Sequence, residues 1–585
     1  MSTTGTPESE RKVIMKEELN TKDFKSQKGN RKPNKGGYSK KRKHFNKRSA
    51  NAKNFSERNS REAMASENKR TNFEGPSESN SPEWYKFDSV MLGSASNLQF
   101  FNVVGEIEKD TQTSDMHVYK VTPTLMSFKF TPTLGMTSVP EDAPINIQAV
   151  AFKQYVQANV TQKIDFEPAD VAVQLGAMDS AFMLYYWAQR LYGLYRTYSV
   201  YNVSMPDVYF LSMGLDPNNM EIDMTWPQFL FELNTIAVKL ATFVIPAELK
   251  LFERHLQLVS NVYTDAPGGK AQQYIFNPTG LWRYVLNGEP GHEGGALRFE
   301  LMPDFAHAEE GKRNLAGVID HLNSLINSMY NDKTLRDMNQ YFLKVYGADK
   351  QIMVHQLDKD YRVLPVYVPE ILPQIHNMDI VGDLNYYGSS HLTNMYVQNA
   401  SGFIQWTPAV INTNTGAWRG SYNDKVLDMP NLDPTADDIA VATRLMVCGH
   451  GDSVGGNAVV YLDAYGSEII NSATVYAGKH GYADEFKYTG IPYDANPRDE
   501  IYPQYTNSFM SALCRWMAFG WGPMLRFTNE VYSPTPSQVR IDTTWYDILA
   551  DENNLAFFES RIIYNLHRAC IMGELYVPSY FPMGS

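Results

Sequence analysis

The residues of this chain best suited to chemistry form one run, Arg31 to Arg48: RKPNKGGYSKKRKHFNKR. Arg31, Lys32, Lys35, Lys40, Lys41, Arg42, Lys43, Lys47 and Arg48 supply its charge, and no acid interrupts them. Lys and Arg on a flexible chain bind phosphates without reading sequence, because each contact releases condensed counterions. Tyr38 and Phe45 stand alone in the run and could stack on unpaired bases. Gly, Asn, Ser and Pro separate the charges. Such a composition cannot bury enough apolar surface to offset the entropy of ordering. The run therefore predicts a disordered nucleic-acid-binding arm. A nuclear localisation signal in KKRKHFNKR, or a solvated tail with no partner, are the competing readings.

The charge balance points the same way. Residues 1–72 hold 20 of the 53 Lys and Arg and 8 of the 65 Asp and Glu, so this segment carries +12 within a chain of net −12. The remainder then carries −24, an asymmetry expected when the arm meets a polyanion and the body does not. Within the arm, Arg11 to Leu19 (RKVIMKEEL) could form a turn or two of amphipathic helix, too short to persist alone in water. It could order on a membrane surface or on RNA.

Other chemistry-bearing motifs are weaker. Gly451-Asp452-Ser453-Val454-Gly455 matches GxSxG, the nucleophile elbow of α/β-hydrolases. That elbow needs a strand before the serine and a helix after it. GGNAVVYLDAYG, which follows, reads as strand, so a turn is expected and a serine hydrolase using Ser453 is the weakest alternative. Twelve histidines are scattered. His307-Ala-Glu-Glu310 and Gly291-His292-Glu293 lack a second histidine at metal-ligand spacing, so no metal is expected. There is no GxxxxGK[ST] and no GxGxxG after a strand, and no cofactor is expected. Cys448-Gly449-His450 would be a dyad only if the two side chains met in space. Cys448, Cys514 and Cys570 make no CxxC pair, which argues against a disulfide scaffold and for a reducing compartment.

The elements that must position these residues fill 585 positions, too many for one ordinary domain. Aromatic residues are abundant at 13%, enough for large cores and for subunit contacts. No run of eighteen apolar residues occurs, and the N-terminus has no signal-peptide-like apolar run. Residues 98–160 read as mixed, with strands in LQFFNVVGEI and HVYKVTPTLMSFKFTPTL. Apolar spacing then predicts helix from Pro168, with Asp179 or Ser180 capping a second helix. Thr225 with Pro227 starts another helix, and Pro246 a further one. The Gly-rich DAPGGK (265–270) and NGEPGHEGG (287–295) suggest a boundary. Helix resumes over 311–347. After about 355 the texture becomes short strands and long loops, interrupted by a helix capped at Asp433. NSFMSALCRWMAFGWGPMLRF and NNLAFFESRIIYNLHRACIMGEL predict helix again after Pro503. The C-terminal YVPSYFPMGS would dock on its own core or on a neighbouring subunit.

The fold class expected is mainly α-helical, α+β. A disordered basic arm spans 1–75, a helical domain joins 76–264 to 503–585, and a domain richer in strands and loops is inserted at 265–502.

A basic arm, an acidic body without a catalytic signature and many aromatics together suggest a viral coat protein. The sequence resembles picobirnavirus capsid proteins, and more distantly those of partitiviruses. The resemblance lies in length, the Lys-rich arm, FVIPAELKLFERHLQLVSNVY (243–263) and LAFFESRIIYNLHRACIMGELY (555–576). It implies a shell domain with a protruding domain, and symmetric homodimers building a small (T=1) icosahedral shell around double-stranded RNA. The protein would be assembled in the host cytoplasm, carried in the virion, and not be an enzyme in turnover. It also implies one self-cleavage that frees an N-terminal peptide able to disturb host membranes. Asn before a small residue can cyclise and cut its own backbone; Asn51-Ala52 and Asn59-Ser60 fit, placing the cut between residues 45 and 75. The alternative class is an RNA-binding protein that forms no shell.

Overall fold

In the computed structural model the described residues are 89–97, 107–109, 119–121, 124–197, 204–267, 271–347, 351–384, 394–412, 424–454, 457–479, 482–488, 516–528, 546–549 and 554–577. The chain divides into two compact units, residues 1–100 and 101–585. The first contributes helix α1 (Ser89–Ser96), where Ser94 Oγ, on an exposed side chain, donates to the Val90 carbonyl.

The second unit begins with strands β1 (Ile107–Lys109) and β2 (Tyr119–Val121), paired antiparallel, and then β3 (Thr124–Pro132). Five helices follow: α2 (Pro144–Asn159), α3 (Pro168–Tyr195), α4 (Ser204–Ser212), α5 (Trp226–Leu240) and α6 (Lys250–Ser260). Next come β4 (Tyr263–Thr264), β5 (Gln273–Pro278), β6 (Gly280–Asn287) and β7 (Gly294–Leu301), then α7 (Asn314–Tyr330), α8 (Lys333–Tyr346) and α9 (Leu372–His376). Strands β8 (Met395–Gln398), β9 (Ile404–Gln405), β10 (Ala409–Asn412) and β11 (Asp424–Asp428) precede α10 (Ala436–Ala442). The chain continues through β12 (Cys448–Val454), β13 (Asn457–Ala464), β14 (Glu468–Lys479), β15 (Tyr482–Tyr488), β16 (Leu525–Thr528), β17 (Tyr546–Leu549) and β18 (Leu555–Glu559) to α11 (Ser560–Glu574). This is an α+β protein, with eleven α-helices and several small sheets among the described residues.

The largest sheet has the order β15-β14-β3-β5-β4. β3 runs parallel to β5, and a parallel pair requires a long crossover, which α2 to α6 provide. β14 pairs antiparallel on the other side of β3, Ile470 opposite Phe130. All six residues of β5 are buried, as expected of a strand covered on both faces. The sheet thus takes strands from 124–132, 273–278 and 468–479, on both sides of the Gly-rich break at 265. A second sheet has the order β6-β7-β8-β9, and a third the order β10-β13-β12.

Helix α3 is the axis of the packing. It is 28 residues long, about 42 Å at 1.5 Å per residue. Pro168 occupies its first turn, and the Glu167 backbone N–H bonds Asp170 Oδ2 at 2.9 Å in a capping box. Its side chains are buried almost all round, which its apolar pattern predicted. The expected break at Asp179 or Ser180 is absent: α3 is continuous, because both side chains turn to tertiary partners instead of capping. Ser180 Oγ accepts from the Trp282 N–H at 3.0 Å, and Asp179 pairs with His255. Gly176 lets the helix approach β7, since a Cβ there would lie 2.5 Å from Leu297 Cδ1.

Next to α3 lies an aromatic junction. Trp282, Tyr396 and Trp406 have ring centroids 4.6–5.0 Å apart, and Tyr465 sits 6.1 Å from Trp406. Trp282 Nε1 donates to the Pro132 carbonyl at 2.7 Å, and the Tyr396 hydroxyl accepts from the Leu134 N–H at 3.1 Å. The polar atoms of Trp282 and Tyr396 are thereby satisfied.

Local signals were met in varying degree. Thr225 and Gln228 form the capping box of α5. The helix expected from Pro246 starts at Lys250, because Pro246 bridges to Gln351. The cap of α10 is Thr435 rather than Asp433, its side chain accepting from the Asp438 N–H. Two stretches expected as helix are strand: Leu525–Thr528 pairs with β17, and Leu555–Glu559 pairs with β11, Val426 opposite Phe557. The Phe-Phe pair suits a pleated surface better than a helix turn, and a partner strand was available.

Candidate functional site

The densest assembly of chemistry-bearing side chains among the described residues is a buried ionic network. It joins α3, α6, β14, the loop after α10 and α11. Glu468, the first residue of β14, is fully buried. Arg254 grips it with Nε to Oε1 at 2.6 Å and Nη2 to Oε2 at 3.0 Å, the two-pronged geometry that suits a carboxylate. Arg254 Nη2 also donates to Gln374 Oε1 at 3.0 Å. Ser467 Oγ donates to Glu468 Oε1 at 3.0 Å.

His255 follows Arg254 on α6 and is fully buried. Its Nδ1 lies 2.7 Å from Asp179 Oδ2, and its Nε2 lies 3.1 Å from the Ser467 carbonyl. Both neighbours accept, so both ring nitrogens carry protons. Burial opposes that charge, but the Asp179 carboxylate and its hydrogen bond, then Glu468, outweigh it and raise the pKa to about 9. Burial pushes Asp179 upward against the pull of His255. Burial opposes the charge of Glu468 too, yet Arg254 and then His255 hold its carboxyl at about 2. Arg444 bonds Glu574 of α11, and its Nη2 reaches Ser467 Oγ at 3.2 Å. Three cations, Arg254, His255 and Arg444, therefore face three anions, Asp179, Glu468 and Glu574. A buried set of charges is tolerable only when balanced and hydrogen-bonded in this way.

His567 of α11 borders the network as a neutral ring. Its Nε2–H donates to the Met446 carbonyl at 2.8 Å. Burial, and then the charge of Arg444, hold it down at about 4. A second buried group anchors β11: Lys425 Nζ bonds Asp379 Oδ2 at 2.8 Å, which also accepts from the Val447 N–H at 2.8 Å. Beside it His376 Nε2 lies 3.0 Å from Asp428 Oδ2.

Asp179, His255 and Ser467 have the residue types of a hydrolase triad, but not the arrangement. The free ring nitrogen meets the Ser467 carbonyl rather than its hydroxyl, and the imidazole is already protonated, so it has no lone pair to accept a proton. The network is a structural clamp. It ties the C-terminal helix to the long axis helix through side chains almost 400 residues apart in sequence.

The motifs singled out in the sequence disperse. Ser453 lies in strand β12, opposite Ala458 of β13, so it sits within a strand pair and not at the strand-to-helix elbow that GxSxG requires. His450, three residues earlier, is exposed and pairs across the hairpin with Asp463 at 2.5 Å. Cys448 on the same strand is buried and in no disulfide, and nor is Cys570. His307 bonds Asp304 on the surface, and His292 Nδ1 meets the Gln398 carbonyl at 3.0 Å. The basic run Arg31, Lys32, Lys35, Lys40, Lys41, Arg42, Lys43, Lys47 and Arg48 lies outside the described residues, as do Asn51, Asn59 and Cys514.

Sequence reasoning missed the clamp. A signal was there: Asp179 in an apolar helix, and Arg254-His255 in a helix ending in buried Leu258 and Val259. A charge at an otherwise apolar position asks for a partner, but sequence does not say which.

The architecture is that of a virus coat protein. A crystal structure of the picobirnavirus capsid matches this fold with a TM-score of 0.69 at 17% identity, over 86% of this chain and 99% of that one. The capsid protein precursor of a human picobirnavirus (strain Human/Thailand/Hy005102/-) is 24% identical over 538 residues, 85% of this chain and 91% of its own. The model of the picobirnavirus capsid protein family matches residues 84–502. The chain belongs to that family, and its place is the virion.

Proposed function

We propose that this capsid protein forms symmetric homodimers, that these close into a small icosahedral shell, and that residues 31–48 hold the double-stranded RNA genome inside it. The observation that carries this reading is the division of charge: +12 over residues 1–72, in a chain whose remainder is −24. An acidic body repels RNA, so retention falls to the arm, through counterion release. The part that protrudes lies within 265–502 and excludes β5 and β14, which share a sheet with β3; the helical parts of 76–264 and 503–585 form the shell. Assembly takes place in the host cytoplasm. The word precursor in the human virus protein's name supports removal of an N-terminal peptide, which we place after Asn51 or Asn59 and which then meets host membrane.

The test is electron microscopy of full-length protein from an RNase-treated lysate, with the RNA content of the particles. Closed shells that retain RNA, and that lose most of it when Lys40, Lys41, Arg42 and Lys43 are changed to Ala, are expected. Only small oligomers across salt and pH would overturn shell formation. Undiminished RNA in the substituted shells would overturn the role of the arm. An intact mass still containing residue 1 in mature particles would remove the cleavage.

A further inference from the structure

Strand β6 is an edge strand; its only partner among the described residues is β7. Between β6 and the turn joining α7 to α8 lies an open pocket of about 390 Å³. Arg283 and Arg298 stand directly opposite each other across the β6–β7 pair, and both line this pocket. Two like charges in facing positions destabilise a strand pair. They are tolerated where something negative sits between or beside them.

The acids at hand are largely committed elsewhere. Glu300 Oε1 is held by Arg283 Nη1 at 3.1 Å. Asp332 Oδ2 accepts from the Tyr284 hydroxyl at 2.8 Å, while its Oδ1 caps α8 by accepting from the Leu335 N–H at 3.1 Å. Arg298 has neither an ion-pair nor a hydrogen-bond partner among the described residues. A guanidinium is the planar donor that matches a tetrahedral oxyanion.

We propose that this pocket is an oxyanion site that takes a phosphate group, with Arg298 as its main ligand and Arg283 beside it. It is separate from the arm and from the buried clamp. The phosphate could belong to the RNA backbone or to a free nucleotide, and the two are separable by experiment.

The experiment uses the full-length protein at constant ionic strength. Inorganic phosphate should raise the melting temperature saturably, by roughly 2 °C or more for a large domain with ligand well above its Kd. The rise should vanish in Arg298→Gln, an exposed position whose change leaves the core intact. Tungstate soaked into crystals or particles should give a density peak between Arg283 and Arg298. A 12-base-pair RNA duplex that displaces the tungstate would identify a backbone site; displacement by adenosine monophosphate alone would identify a nucleotide site. The proposal is overturned if phosphate stabilises no more than matched chloride, if Arg298→Gln keeps the full shift, or if the tungstate peak lies elsewhere.

Discussion

Two junctions hold distant parts of this chain together, and they do it by opposite means. The aromatic junction brings Trp282, Tyr396, Trp406 and Tyr465 into contact by area alone, with two polar atoms satisfied in passing. The ionic clamp brings Asp179, Arg254, His255, Arg444, Glu468 and Glu574 together by charge, and every member depends on the others. Rings removed from water stabilise wherever they pack, in proportion to the area they bury. Charges removed from water cost free energy unless the partner arrives with them. The clamp therefore adds less net stability than its bonds suggest, but it penalises any packing in which α3, α6, β14 and α11 do not meet together.

Breaking each junction separates these roles. Trp406→Ala should cost about 3–5 kcal/mol, from lost transfer free energy and the cavity left behind. The loss should be the same at pH 5 and pH 8, because nothing there titrates in that range. Arg254→Leu should cost a similar amount, about 3–5 kcal/mol, since it leaves Glu468 buried and short of its main partner. The double change Arg254→Leu with Glu468→Leu should recover part of that loss. Denaturant melts of the three variants decide it, and additive losses in the double variant would mean that the pair does not act as a unit.

A smaller effect is the pH profile. His255 is raised to about 9 in the fold, so its contribution is complete below pH 6.5 and is lost as pH rises through 9. Glu468 is held at about 2, so its contribution is complete above pH 4.5 and is lost as pH falls through 2. His567 is held at about 4 and resists charging, so stability also falls as pH drops from 6.5 to 4. Melting temperature measured from pH 4 to 10 should peak near 6.5. His567→Gln keeps a donor for the Met446 carbonyl and should flatten the acid side between 4 and 6.5. An unchanged acid limb in that variant would assign the loss to other groups.

The smallest effect lies outside both junctions. Thr225→Ala removes one half of the α5 capping box and should cost about 1 kcal/mol, with no change in the pH profile. A loss of several kcal/mol would show that Thr225 does more than cap.

Much of this was legible in the sequence, for local reasons. The division of charge between arm and body is composition, which no fold can alter. The buried character of α3, the capping box at Thr225 and the helices within 311–347 follow from apolar spacing and caps, signals that span a few residues. The family resemblance rested on length, the Lys-rich arm and two segments that contain α6 and α11, whose apolar faces are written locally as well.

Tertiary structure decided the rest, wherever a residue had a choice of partner. Leu555–Glu559 became a strand because β11 lies beside it, 130 residues earlier in the chain. Asp179 left helix capping for His255, a bond across 76 residues. Ser453 became a strand residue because the following stretch folds back as β13. The pairing of Glu468 with Arg254 spans 214 residues, and no local pattern contains it. Sequence by itself determined which surfaces must leave water and which charges the chain carries. Only the folded chain decided which charges meet, because a buried charge is settled by whatever long-range neighbour can neutralise it.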